Sequence, residues 1–138
     1  MPDQDDETLA EAFWSVARRI RHLTHDTVAP FGITPGQARA LGVLGRHGGM
    51  RLNELAEHLR IAPRSTTEVI DALQERGLVE RTPDLLDRRA TVVALTGEGA
   101  RIGAAVRSAR SEEAEAFFGR LSEADRDALA RILRSLRP

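Results

Sequence analysis

Residues 51–96 read RLNELAEHLRIAPRSTTEVIDALQERGLVERTPDLLDRRATVVALT, and their order decides the fold. Leu52, Leu55, Ala56 and Leu59 recur at helical spacing and predict a short helix over about Asn53 to Leu59, with Asn53 as its cap. After Arg60-Ile61, Ala62-Pro63 starts a second helix that carries Val69, Ile70 and Leu73 inward and reaches Arg76 before Gly77. Two short helices on a tight turn make a helix-turn-helix. Leu78-Val79-Glu80-Arg81 and Thr91-Val92-Val93-Ala94-Leu95 read as antiparallel strands, and the connection from Thr82 to Ala90 between them reads as a wing with Asp87-Arg88-Arg89 near its tip. That order is what a winged helix-turn-helix needs, and it points to DNA as a partner.

The chain on either side reads as helix. Leu9, Phe13, Val16, Ala17, Ile20 and Leu23 predict a long amphipathic helix from about Glu7 to Val28, ended by Pro30. Thr34-Pro35-Gly36-Gln37 supplies a capping side chain, a proline at the first helical position and a glutamine where a capping box wants it, for a helix running to about His47. From Gly97 the helical pattern returns through Ala100, Ala104, Ala105, Ala109, Ala114, Phe117 and Phe118. A last helix, capped by Ser122, carries Leu129, Ile132, Leu133 and Leu136. The expected fold is therefore mainly α with a small β-hairpin: one domain over 1–138, with a winged helix-turn-helix at 34–96. The helices at 7–30 and 97–138 are too apolar to stand alone and predict a dimerisation region paired across a twofold axis, the alternative being a monomeric bundle.

Composition limits what else the chain holds. With 138 residues, 41% of them hydrophobic, there is room for one compact domain, or one domain with an added oligomerisation element. No apolar run approaches the roughly 20 residues of a membrane helix, and the start carries Asp3, Asp5, Asp6 and Glu7 where a leader would be basic and apolar, so a soluble, cytoplasmic protein is expected. Cysteine is absent, which excludes disulfides and thiolate chemistry. All 20 basic residues are arginine, and the net charge is -1. No segment is a basic arm, so phosphate binding would rest on a few arginines gathered on one surface.

The runs Leu52-Asn53-Glu54-Leu55-Ala56, Ala62-Pro63-Arg64-Ser65-Thr66-Thr67, Leu73-Gln74-Glu75-Arg76-Gly77-Leu78-Val79-Glu80-Arg81 and Asp87-Arg88-Arg89, with Leu95-Thr96 behind them, resemble the MarR family of bacterial transcriptional regulators over nearly the whole chain. The resemblance implies a homodimer that binds a palindromic operator in double-stranded DNA, represses a neighbouring gene and is released by a small aromatic or phenolic effector. Pro63, Arg64, Ser65, Thr66 and Thr67 would open the recognition helix in the major groove, with Arg64 as the base-contacting candidate. Ser65 and Thr67 offer hydroxyls, and the free amides of the first turn suit a phosphate oxygen. Arg89 matches the family's wing arginine and would enter the minor groove, Arg88 would meet phosphate, and Asp87 would support the wing by orienting an arginine.

Three departures from the family pattern stand out. Ala62 replaces a common serine cap. Glu68 sits where arginine is frequent, and would either repel phosphate or accept from a cytosine amine. Leu85-Leu86 bring two apolar side chains to the wing, either packed on its strands or reaching another chain.

In this family the effector pocket lies between the dimerisation helices and the winged domain, which makes Trp14, Arg18, His22 and His25 lining candidates; the other reading of Trp14 is a dimer-core aromatic. His22 and His25 beside Asp26 have metal-ligand character, but with no cysteine no metal or cofactor site is assigned. No nucleophile elbow or glycine-rich phosphate loop appears, so no enzyme is expected and no catalytic residue is named. The rival to a regulator is a helical dimeric protein-interaction module whose winged domain is degenerate and does not bind DNA, a reading favoured by Glu68, Ala62 and the near-neutral charge.

Overall fold

The computed structural model describes residues 6–138, so the acidic start at Asp3 and Asp5 lies outside it. Six α-helices and a three-stranded sheet follow in the order α1 (Leu9–Val28), α2 (Pro35–His47), β1 (Met50–Arg51), α3 (Leu52–Leu59), α4 (Pro63–Glu75), β2 (Val79–Pro83), β3 (Thr91–Leu95), α5 (Gly97–Phe118) and α6 (Glu123–Ser135). The expected class, mainly helical with a small antiparallel sheet, is what is found. No helix among the described residues is long and apolar enough to cross a membrane.

Local chemistry sets most boundaries. At α1 the Thr8 hydroxyl accepts from the Glu11 N–H at 3.2 Å while the Glu11 carboxylate accepts from the Thr8 N–H at 2.8 Å, a capping box that also holds Glu11 below the usual carboxylate range. The same reciprocal bonds join Thr34 and Gln37 at α2. Pro30 falls in a 3-10 turn at Ala29–Phe31, and Gly32, at φ +71°, turns the chain into α2. Ser122 caps α6 by accepting from the Asp125 N–H at 3.1 Å.

Three details depart from expectation. Asn53 is no cap, because α3 starts one residue earlier, at Leu52, directly out of β1, and its N-terminus has no side-chain cap. That strand, too short for any periodicity to announce, pairs Met50 with Val93 and Arg51 with Val92, so the sheet has order β1-β3-β2. In addition, β2 extends to Pro83, opposite Thr91; on an edge strand the missing N–H costs no ladder bond.

The core is gathered around α2, with Leu41 and Leu44 packed among Leu55, Ile70, Leu73, Val79 and Val93. Long-range polar contacts then lock the second helix of the helix-turn-helix. The Arg76 guanidinium donates to the carbonyls of Phe31 and Gly32 at 3.0 and 2.7 Å, and Arg81 on β2 pairs with Asp71 at 2.6 Å and also reaches Gln74. Arg39 on α2 donates to the Leu59 carbonyl at 2.8 Å, satisfying an orphan acceptor at the end of α3. Between the two helices Arg60 adopts a left-handed conformation, φ 55°, as the turn requires.

Candidate nucleic-acid interface

α4 presents its first turn to solvent. Ala62 occupies the cap position with no side-chain bond, and Pro63 has no N–H to lose. The first ladder bond runs from Thr66 N–H to the Ala62 carbonyl at 3.0 Å, leaving the amides of Arg64 and Ser65 ahead of it free for an anion. Pro63, Arg64 and Ser65 are exposed and Thr67 is partly so, its hydroxyl donating to the Pro63 carbonyl at 3.1 Å.

Thr66 does not belong with them. It is 0% exposed, and its hydroxyl donates to the Ala62 carbonyl at 3.1 Å. The expectation that it contacts DNA is therefore corrected: Thr66 falls at i with Ile70 at i+4 and Leu73 at i+7, the buried stripe of α4, and that spacing was the signal that distinguished it from its neighbours. The exposed side of α4 carries one cation, Arg64, against Glu68, Asp71 and Glu75. Asp71 is engaged by Arg81, but Glu68 lies one turn beyond Arg64 on the outer face.

The wing adds two further cations, Arg88 and Arg89, on a loop held by hydrogen bonds at its base. Its base closes through the Asp84 N–H to the Ala90 carbonyl at 2.9 Å, and the Ala90 N–H returns to the Asp87 carbonyl at 2.9 Å. Arg51, from β1, grips one oxygen of the Asp84 carboxylate through Nε at 3.0 Å and Nη2 at 2.8 Å, while the other oxygen accepts from the Leu86 N–H at 2.9 Å. The Leu86 amide and the Arg51 guanidinium hold Asp84 below the usual carboxylate range, and Asp84 in turn raises Arg51.

Asp87 supports the wing in another way than expected. Its carboxylate accepts from the backbone N–H of Arg89 at 3.1 Å, and among the described residues it forms no ion pair with a guanidinium. The carboxylate that orients an arginine is that of Asp84, whose partner lies 33 positions away in sequence and was missed for that reason. Arg64, Arg88 and Arg89 are exposed, and among the described residues none of the three enters an ion pair. Their full charge faces solvent, on the two elements that a groove-binding winged domain presents.

The four residues expected to line an effector pocket all stand on the exposed side of α1. Arg18, His22 and His25 stand exposed along α1, and Trp14, 56% exposed, packs edge-on against Phe13 at 5.5 Å. The opposite face of α1 borders a cavity. Ile20, Leu23, Thr24 and Thr27 form one wall of a space of about 230 Å³, and Arg110, Glu113, Ala114, Phe117 and Phe118 of α5 form the other. Arg110 also borders a second space, of about 270 Å³, between α2 and α5 beside Arg46 and Arg107. Burial, and then the nearby Arg39, lower the pKa of Arg110 from the usual arginine range. His25 lies 3.7 Å from Asp26, His47 stacks on His58 at 4.5 Å, and among the described residues no group of three or more His, Cys, Asp or Glu is arranged to hold a metal.

Comparison with known proteins bears on this geometry. The sequence profile of the MarR family matches residues 31–90. The HTH-type transcriptional regulator MT0903.1 of Mycobacterium tuberculosis is 32% identical over 130 residues, covering 94% of this chain and 90% of that protein. The HTH-type transcriptional repressor MdtR of Bacillus subtilis is 37% identical over 68 residues, 49% of this chain and 44% of the repressor. Among solved structures, the YusO protein of Bacillus subtilis superposes with a TM-score of 0.80 at 26% identity, covering 99% of this chain and 96% of that one.

Proposed function

This chain belongs to the MarR family of winged helix-turn-helix, DNA-binding transcriptional regulators, and within that family we propose that it is a homodimeric repressor of a palindromic operator, acting in the cytoplasm and released by a small aromatic acid. In this reading the two copies of α4 enter successive major grooves, where Arg64 meets base edges and Ser65 and the free first-turn amides meet phosphate. Arg89 enters the flanking minor groove at the wing, and Arg88 meets phosphate beside it.

The observation that carries the reading is the wing. In a chain of net charge -1, two guanidiniums without an ion-pair partner among the described residues sit on a loop clamped at its base by Arg51 and Asp84. Preorganisation of this kind lowers the cost of ordering the contact on binding.

Pairing of two copies is supported by an apolar band that one chain leaves open: Leu9, Phe13, Val16 and Ile20 on α1, with Ile132 and Leu133 on α6. A patch of this kind on helices that flank a winged domain fits an isologous twofold contact. Release by an aromatic acid is supported by the cavity between α1 and α5, where Phe117 and Phe118 offer ring faces and the part-buried Arg110 offers a charge for a carboxylate.

Binding to a random duplex, measured across salt concentrations, tests the proposal. Affinity is expected to fall steeply with salt and to be lost in the Arg64→Ala Arg89→Ala double variant. A protein that binds no duplex at low salt is instead the interaction module that Glu68 and the net charge suggest.

A further inference from the structure

Leu85 and Leu86 are 97% and 96% exposed, so neither packs on the strands of its own wing. Two leucines held this far into solvent are uncommon on a surface that serves no contact. They are also not on a loose loop. The carboxylate of Asp84 accepts from the Leu86 N–H at 2.9 Å and is itself gripped by Arg51, while the carboxylate of Asp87 accepts from the Arg89 N–H at 3.1 Å. The loop is thus two successive side-chain-capped turns, the first presenting an apolar pair and the second a cationic pair.

We propose that Leu85 and Leu86 form an apolar wedge that enters the DNA minor groove beside Arg88 and Arg89 and bends the duplex there, an inference that rests on the DNA-binding reading above. The occupant follows from what surrounds the leucines. They are continuous with two guanidiniums that have no ion-pair partner among the described residues, and β2, which leads into the wing, is tied through Arg81 to Asp71 of α4. A duplex offers negative potential to the guanidiniums and, in the minor groove, sugar edges and base steps to the apolar side chains. Wedges of this type act by partly unstacking a base step, which pyrimidine–purine steps permit most easily. The wing therefore carries sequence preference as well as charge, and supplies through TA or CA steps a discrimination that Arg89 alone does not.

The experiment uses the full-length protein and the tightest duplex it selects from a random 40-base-pair pool, compared with the same duplex in which the wing-contacted step is replaced by an A-tract. Leu85→Ser Leu86→Ser is expected to weaken binding to the selected duplex by about tenfold and to abolish the preference over the A-tract duplex. The bend seen by phased electrophoresis should shrink, while the slope of affinity against salt stays unchanged because no phosphate contact is lost. Leu85→Met Leu86→Met should retain both affinity and bend. Equal affinity and bend for the serine variant and the wild type overturn the wedge while leaving the regulator intact. A wild type that selects no duplex overturns both. The wedge also falls if the serine variant loses binding to anionic lipid vesicles or a higher oligomer, with DNA binding unaltered, since the leucines then serve a membrane or a second copy.

Discussion

Gly99 offers the sharpest test of how the winged domain is joined to the helices around it. A Cβ built on Gly99 would lie 1.8 Å from the Leu78 carbonyl oxygen and 2.8 Å from its carbon, both backbone atoms. Ordinary contact requires about 3.5 Å, so Gly99→Ala cannot be absorbed by a rotamer change and α5 must move off the turn between α4 and β2. That shift strains three bonds: Thr96 N–H to Leu78 carbonyl at 3.1 Å, Thr96 hydroxyl to Gly77 carbonyl at 2.6 Å, and the Gly99 N–H to the Thr96 hydroxyl at 3.0 Å. Overpacking costs about 1–3 kcal/mol and each weakened bond about 1 kcal/mol, against a helix-propensity gain of about 1 kcal/mol for alanine. The net expectation is a loss of about 3–5 kcal/mol, or a fall in Tm of roughly 9–15 °C at fixed protein concentration. Gly103→Ala is the control. Its Cβ would meet Leu41 at 3.7 Å, an ordinary contact, so it should gain up to about 1 kcal/mol. Calorimetry of the two variants decides the matter: a Gly99→Ala protein melting at or above the wild type would refute the packing described here.

Further outcomes follow from the same geometry. Thr66→Val should lower stability by about 1 kcal/mol, the worth of one buried hydroxyl bond, and leave DNA affinity intact, whereas Ser65→Ala should weaken binding without moving Tm; the reverse pattern in melting and binding assays would return Thr66 to the interface. Because Asp84 is held below its ordinary value of 3.8, its contribution to wing order is fully present above that value and is lost only as pH falls through the lower folded value. Arg51→Gln should move that loss to higher pH, which carboxyl-carbon NMR titration of Asp84 reads directly. Leu133→Asp, placed in the open apolar band of α6, should convert a dimer to monomer in sedimentation at micromolar concentration, and an unchanged mass would place the twofold contact elsewhere.

Much of the fold was legible because it is written in short-range chemistry. Proline at the start of α2 and of α4, the Thr34 and Gln37 pair, the Ser122 cap and the alternation from helix to hairpin all act within a few residues. What escaped depends on contacts that sequence spacing does not carry. The two-residue β1 exists only because β3 pairs with it, and its presence moved the start of α3 from Asn53 to Leu52. Asp84 gains its role from Arg51, which arrives from the other edge of the sheet. The amphipathic pattern of α1 announces an apolar stripe but not which neighbour covers it: Ile20, Leu23, Thr24 and Thr27 border a cavity against α5, whereas Trp14, Arg18, His22 and His25 lie on the exposed side of the same helix. Thr66 is the opposite case: its position in the stripe with Ile70 and Leu73 was available, and its chemistry as a hydroxyl drew it wrongly to the surface group.

In the proposed function two copies of α4, flanked by arginine-bearing wings, read a twofold-symmetric operator. Selection of bound fragments from a genomic pool, followed by footprinting of the tightest, tests it most directly. One enriched palindrome is expected, its half-sites centred about one helical turn apart and protected in two successive major grooves, with Arg64→Ala altering the enriched bases and Arg89→Ala lowering binding at the flanks. Recovery of fragments with no shared sequence, or of a single asymmetric site unaffected by either substitution, would contradict it.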